Sequence, residues 1–109
     1  MTSLPAAQPA RLAHADGSPV RALVVDDEVS LGDLLQMALR YEGWDVKTAV
    51  EGHQALTLAR QFKPDVIVLD VMLPDLDGMS VLHRLRADGD DTPVPVSYTH
   101  LTLPTNREV

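Results

Sequence analysis

The chain has no cysteine, which excludes a disulfide framework, a thiolate zinc site and a cysteine nucleophile, and fits an intracellular, cytoplasmic location. It also lacks any stretch approaching the roughly 20 apolar residues of a spanning helix, and its start lacks the apolar centre of a secretory signal. Positive charge is scarce: nine Lys and Arg stand against sixteen Asp and Glu, a formal charge of −7. That balance argues against nucleic acid or an anionic membrane as partner of this segment, because basic patches hold both. Cations or basic surfaces are the expected partners. What is present, 109 residues with 45% apolar content, suits one small domain with a modest core.

Residues 1–20 are rich in alanine and proline, and Pro5, Pro9, Gly17 and Pro19 interrupt every periodicity, so this segment reads as a disordered leader with folding expected from Arg21. Ala22 to Val25 form a first apolar run. Leu31, Leu34, Leu35, Ala38 and Leu39 then share one face of a helix that Gly43 is placed to stop, and this leucine stripe is expected in the core. Trp44 to Ala49 alternate as a strand, with Trp44 expected to pack at its start. Ala55, Leu56, Ala59 and Phe62 repeat at helical spacing until Pro64 breaks them. Val66 to Leu69 are continuous and largely β-branched, as in a parallel strand covered on both faces. Met79, Leu82, Leu85 and Arg86 suggest a third helix ending near Gly89, and a short run around Val94 begins a fourth strand. The expected order is β-α-β-α-β-α-β, with no internal repeat.

Strands alternating with helices imply a parallel α/β sheet with right-handed crossovers, in which ligands gather at the carboxyl ends of the strands. Both acidic clusters sit at such ends: Asp26-Asp27-Glu28 after the first run, and Asp70 after the third, more than forty positions away. Neighbouring parallel strands would bring these carboxylates to one edge, where they repel unless a cation sits among them. At neutral pH a carboxylate of pKa about 3.9 is already ionised, so Asp70 needs no general base to act as a nucleophile. It does need help approaching a phosphate, because two unit charges about 4 Å apart repel by roughly 4 kcal/mol at an effective dielectric of 20. Magnesium, a hard ion suited to carboxylate and carbonyl oxygens, would resolve that conflict.

Blander readings stand beside this one. An acidic pair after a strand also suits a helix N-cap or a solvated turn. Glu28 reads more readily as a first-turn helix residue than as a ligand, and Asp75 and Asp77 as turn formers. His14, His53, His83 and His100 share no ligand spacing, so surface positions are expected.

Taken together, Val24-Val25-Asp26-Asp27-Glu28 and Asp70-Val71-Met72-Leu73-Pro74-Asp75-Leu76-Asp77-Gly78 resemble the CheY-like receiver domain of two-component response regulators. The resemblance covers roughly residues 21–95 and implies a flavodoxin-like, doubly wound parallel sheet. It implies that Asp70 accepts phosphate from a sensor histidine kinase, in a regulatory rather than enzymatic role. Asp27 would bind magnesium directly, Asp26 directly or through water, and the Met72 backbone carbonyl would complete the protein ligands with Asp70. Pro74 and Gly78 match the family's turn residues. The Leu-Pro-Asp-Leu-Asp-Gly style resembles transcriptional regulators of the OmpR/PhoB type, in which DNA is bound only through a C-terminal winged-helix domain that this chain does not include. Homodimerisation of the full-length parent stays open.

Two departures from the family pattern matter. A complete receiver has five strand–helix units, whose later strands supply a Ser or Thr and then a Lys. Here Lys47 and Lys63 are the only lysines and both precede Asp70. Thr99 is a tempting hydroxyl in foreign surroundings. The expectation is a partial receiver over 21–95, truncated after about the fourth strand, leaving an unpaired edge and an uncovered part of the sheet. The second departure is the tail, 96–109. Val96 to Thr105 can be written codon for codon as the translation of a sequencing-library transposon adapter, and Asn106 to Val109 as the read into flanking primer, with Pro95 as the junction. The tail is therefore expected to be non-native, against the alternative of an unusual strand in which Tyr98, His100 and the flanking threonines alternate.

Two other functions compete. A haloacid-dehalogenase-type aspartyl-phosphate hydrolase also places an Asp nucleophile and magnesium at strand ends, but its second acid, two residues on, is Met72 here. A receiver-like docking domain that never takes phosphate is the nonenzymatic alternative.

Overall fold

The computed structural model describes residues 13–97. Residues 1–12 of the expected leader, and the tail from Tyr98 with Thr99 and His100, lie outside the described residues. Seven elements alternate: β1 (Arg21–Val25), α1 (Val29–Tyr41), β2 (Asp45–Ala49), α2 (Gly52–Phe62), β3 (Val66–Asp70), α3 (Gly78–Ala87) and β4 (Val96–Ser97). The strands form one sheet in the order β2-β1-β3-β4, and every pairing is parallel. The chain therefore winds outward from β1 in both directions, as in doubly wound folds, and β1 and β3 are neighbours.

This arrangement sorts the alternate residues of each strand. Leu23 and Val25 of β1 join Ile67 and Leu69 of β3 on one face, where Ala55, Leu56 and Ala59 of α2 and Val81 and Leu85 of α3 cover them. Ala22 and Val24 join Val46 on the other face, with Leu35 and Leu39 of α1, Trp44 and Val66 half-buried against them. Trp44 packs at the strand start as expected.

The leucine stripe of α1 is only partly core, which corrects the sequence-based expectation. Leu35 and Leu39 pack inward, but Leu31 and Leu34 are 42% and 65% exposed. They flank a groove of about 290 Å³ lined also by Val24, Val68 and Asp70. Among the described helices α1 alone packs on this face, so part of its stripe has no sheet or helix to meet. An amphipathic stripe reports which residues can be buried; the neighbouring layer decides how many are.

β4 begins two residues later than the run around Val94. Its approach already pairs with β3, because the carbonyls of Pro93 and Pro95 accept from the N–H groups of Ile67 and Leu69 at 3.0 Å. Proline has no N–H to donate back, so the two-way ladder starts only at Val96 and Ser97, opposite Leu69 and Asp70.

Ahead of β1, residues 13–20 of the expected leader make a tight turn closed by a bridge between Ala13 and Pro19. His14 departs from a plain surface position: its Nε2 lies 2.8 Å from Asp65 Oδ2, an oxygen that also accepts the Arg21 N–H at 2.8 Å. The Arg21 guanidinium in turn donates to the carbonyls of Phe62 and Lys63, satisfying the C-terminal end of α2.

Candidate functional site

Parallel register fixes the site. Val25 of β1 lies opposite Leu69 of β3, so the next residues, Asp26 just past β1 and Asp70 at the end of β3, stand side by side at the carboxyl edge of the sheet. Asp70 is 1% exposed. One carboxylate oxygen from each of Asp26, Asp27 and Asp70 lies within 4.8 Å of the others.

Local hydrogen bonds hold each acid in place. The Asp26 N–H donates to the Ala49 carbonyl at 3.0 Å, extending the β1–β2 ladder by one step. Asp26 Oδ1 accepts the Glu28 N–H at 2.9 Å, and Glu28 caps α1 through the Ser30 N–H at 3.2 Å. Glu28 is thus a cap at the start of the helix and lies outside the acidic group. On the other strand, Asp70 Oδ1 accepts the Met72 N–H at 3.2 Å. Burial raises the Asp26 carboxyl above its ordinary pKa; the Glu28 N–H opposes this, while the nearby Asp70 and Asp27 charges add to it. A close group of hard oxygen donors whose negative charges disfavour one another fits a hard divalent cation.

The loop after Asp70 is as constrained as the acids. The Gly78 N–H donates to the Val71 carbonyl at 2.8 Å, and a Cβ on Gly78 would stand 2.5 Å from the Asp70 carbonyl oxygen and 2.8 Å from Val71 Cα. Only glycine lets α3 start this close to the strand end. Asp77 caps α3 through the Ser80 N–H at 2.8 Å, so the turn-forming role expected of it is a capping role.

Asp75 does more than form a turn. It reaches across to the start of α2, where Oδ1 accepts from Gly52 N at 2.6 Å and Oδ2 from His53 N at 2.9 Å and the His53 ring Nδ1 at 2.5 Å. Desolvation pushes its carboxyl up, but the hydrogen bonds from His53 and Gly52 outweigh this and hold it well below the usual carboxylate range. Sequence reading missed this bridge. In the structure Glu51, the residue before α2, makes no side-chain cap, so the orphan N–H groups of that helix take their acceptor from elsewhere.

The two lysines stand apart from this cluster in role. Lys47 lies over the Phe62 ring, 5.4 Å from its centroid, and Lys63 closes α2 at the end opposite Gly52. His83 is exposed, and His53, though exposed, is engaged by Asp75.

Comparison with known proteins agrees with this geometry. The response regulator receiver domain family matches residues 22–108. The chain belongs to the response regulator receiver family. This receiver is similar to the probable transcriptional regulatory protein TcrX of Mycobacterium tuberculosis, 56% identical over 81 residues, which are 74% of this chain and 35% of that protein. Among solved structures, it resembles the receiver domain of the Francisella response regulator 1452 (36% identity, TM-score 0.68, covering 71% of this chain and 64% of that one). It also resembles the CheX–CheY–BeF3–Mg2+ complex of Borrelia burgdorferi (25% identity, TM-score 0.75, covering 82% and 69%). The chain spans about a third of the length of the curated relatives it matches. Family membership favours a two-component receiver over the dehalogenase-type hydrolase. Among the described residues no helix is long and apolar enough to cross a membrane.

Proposed function

We propose that this receiver takes a phosphoryl group onto Asp70 from the phosphohistidine of a sensor kinase, with Mg2+ held by Asp26, Asp27, Asp70 and the Met72 backbone carbonyl. One observation carries the reading: a carboxylate buried to 1% exposure at the end of β3, with oxygens of two further aspartates within 4.8 Å. An oxygen of Asp70 attacks phosphorus as the P–N bond to the donor imidazole breaks, and the ring nitrogen keeps the electron pair. When bound, Mg2+ neutralises charge on the phosphoryl oxygens in transfer. The chain's own part is to aim the Asp70 carboxylate, which the Met72 N–H orients through Oδ1.

The Borrelia CheY complex, which contains Mg2+ and BeF3, supports the same chemistry here. TcrX's name as a transcriptional regulatory protein supports a parent in which phosphate on Asp70 shifts a conformational equilibrium and alters transcription, with DNA contacted by a domain outside this segment. Incubation of the full-length parent, with its native sequence restored beyond codon 95, with acetyl phosphate and Mg2+, read by mass spectrometry, tests the reading. The expected product is an acid-stable, hydroxylamine-labile phosphoryl adduct, lost in Asp70→Asn. Absence of any adduct, or an adduct that survives Asp70→Asn, overturns it.

We further propose that residues 96–109 are adapter-derived, on the strength of the codon-by-codon fit. Sequencing the genomic locus across codon 95 tests this, and an uninterrupted frame through Tyr98-Thr99-His100 refutes it.

A further inference from the structure

We propose that Asp75 is a positioning residue for the acidic site: by clamping the loop that follows Asp70 to the start of α2, it holds Met72 in place and thereby sets the site's affinity for a divalent cation. The inference rests on the metal-dependent reading above and deepens it.

The seven residues between β3 and α3 include the proposed carbonyl ligand, Met72, which is 46% exposed and whose position therefore owes little to its own burial. The loop is held instead at points on either side. Upstream, the Met72 N–H is bonded to Asp70 and the Val71 carbonyl to the Gly78 N–H. Downstream, Asp75 contributes three contacts to a different element, α2, and its side chain is 23% exposed. Two of the three use backbone N–H groups that α2 cannot satisfy internally, at the positive end of its dipole. Close packing accompanies the clamp: a Cβ on Gly52 would stand 2.7 Å from Leu76 Cβ and 3.0 Å from Val81 Cγ2. The loop therefore rests on α2 with no room for an intervening side chain. Without the carboxylate, two N–H groups at the start of α2 lose their acceptor and the loop loses this side-chain tie to that helix.

Groups that orient a metal ligand without touching the metal characteristically change affinity by about 10- to 100-fold when removed. The test is calorimetric titration of the chain with MgCl2, alongside amide hydrogen exchange at Met72 and Leu73 and urea unfolding. Asp75→Ala is expected to weaken Mg2+ binding by about tenfold and to accelerate exchange at Met72. Asp75→Asn, which keeps one acceptor oxygen but sets an NH2 group against the other donors, is expected to fall between Ala and wild type. His53→Ala, which leaves both backbone bonds, is expected to stay close to wild type. A purely structural Asp75 would lower the urea midpoint while leaving Mg2+ affinity of the folded fraction unchanged, and that result overturns the proposal. Should Asp75→Ala fail to fold, unchanged affinity in Asp75→Asn overturns it equally. A wild-type chain that binds no Mg2+ instead overturns the metal-dependent reading itself, which separates the two failures.

Discussion

The two faces of the sheet are built from the same strands yet finished differently. On one face two helices, α2 and α3, close over Leu23, Val25, Ile67 and Leu69, and the resulting cluster of buried residues includes Val81 at 0% and Leu85 at 3% exposure. On the other, α1 packs Leu35 and Leu39 against Ala22, Val24 and Val46 but leaves Leu31 and Leu34 flanking an open groove. The named strand residues are buried on both faces, and the difference lies in how much of the covering helix is itself buried. Layering matters here because burial stabilises by about 25 cal/mol per Å² only when something covers the surface.

The largest expected effect lies on the two-helix face. Ile67→Ala removes a side chain 1% exposed and should cost about 2–5 kcal/mol in urea unfolding. A loss below about 1 kcal/mol would mean that this face is no better packed than the other.

A pH dependence sharpens the contrast, since the Asp75 bridge joins α2 to the loop leading into α3 on that same face. The Asp75 carboxyl sits below its ordinary value of 3.8 when folded, so between the two values the unfolded chain binds more protons. Its contribution is therefore complete above about pH 4 and fades as pH falls through the depressed folded value. Wild-type chain and Asp75→Asn, compared by urea unfolding from pH 6 down to 3, should differ most at the upper end, with the gap beginning to narrow as pH falls below about 4. A gap that widens on acidification would show that the carboxylate is not stabilised by these bonds.

The smallest effect belongs to the open face. Leu34→Gln keeps helix propensity and alters a residue 65% exposed, so stability should change by no more than about 0.5 kcal/mol. A cost approaching that of Ile67→Ala would show that the groove is covered in solution.

Much of this architecture was legible from pattern alone, for identifiable reasons. Val66 to Leu69 read as a strand because a continuous β-branched run suits a strand covered on both faces, and β3 is Val66–Asp70. Gly43 and Gly89 marked helix ends and have φ of 93° and 83°. Asp26, Asp27 and Asp70 were legible as a group because topology puts strand ends together. Other features were out of reach. The exposure of Leu31 and Leu34 depends on which element lies above them, and periodicity carries no such information. The Asp75 bridge joins residues 23 and 22 positions apart, and a turn residue looks alike whether it bonds its own turn or another helix. The delayed start of β4 came from Pro93 and Pro95, which accept from β3 but cannot donate.

What the amino-acid order determined by itself is the alternation of elements and the presence of acids at two strand ends, because local periodicity and strand-terminating residues are written within a few positions of one another. Only the tertiary structure decided that β1 and β3 adjoin, that Asp75 grips α2, and that one face stays partly open. Those outcomes depend on which surfaces meet across the fold, and contact between distant segments is settled by packing and by the need of each buried N–H for an acceptor.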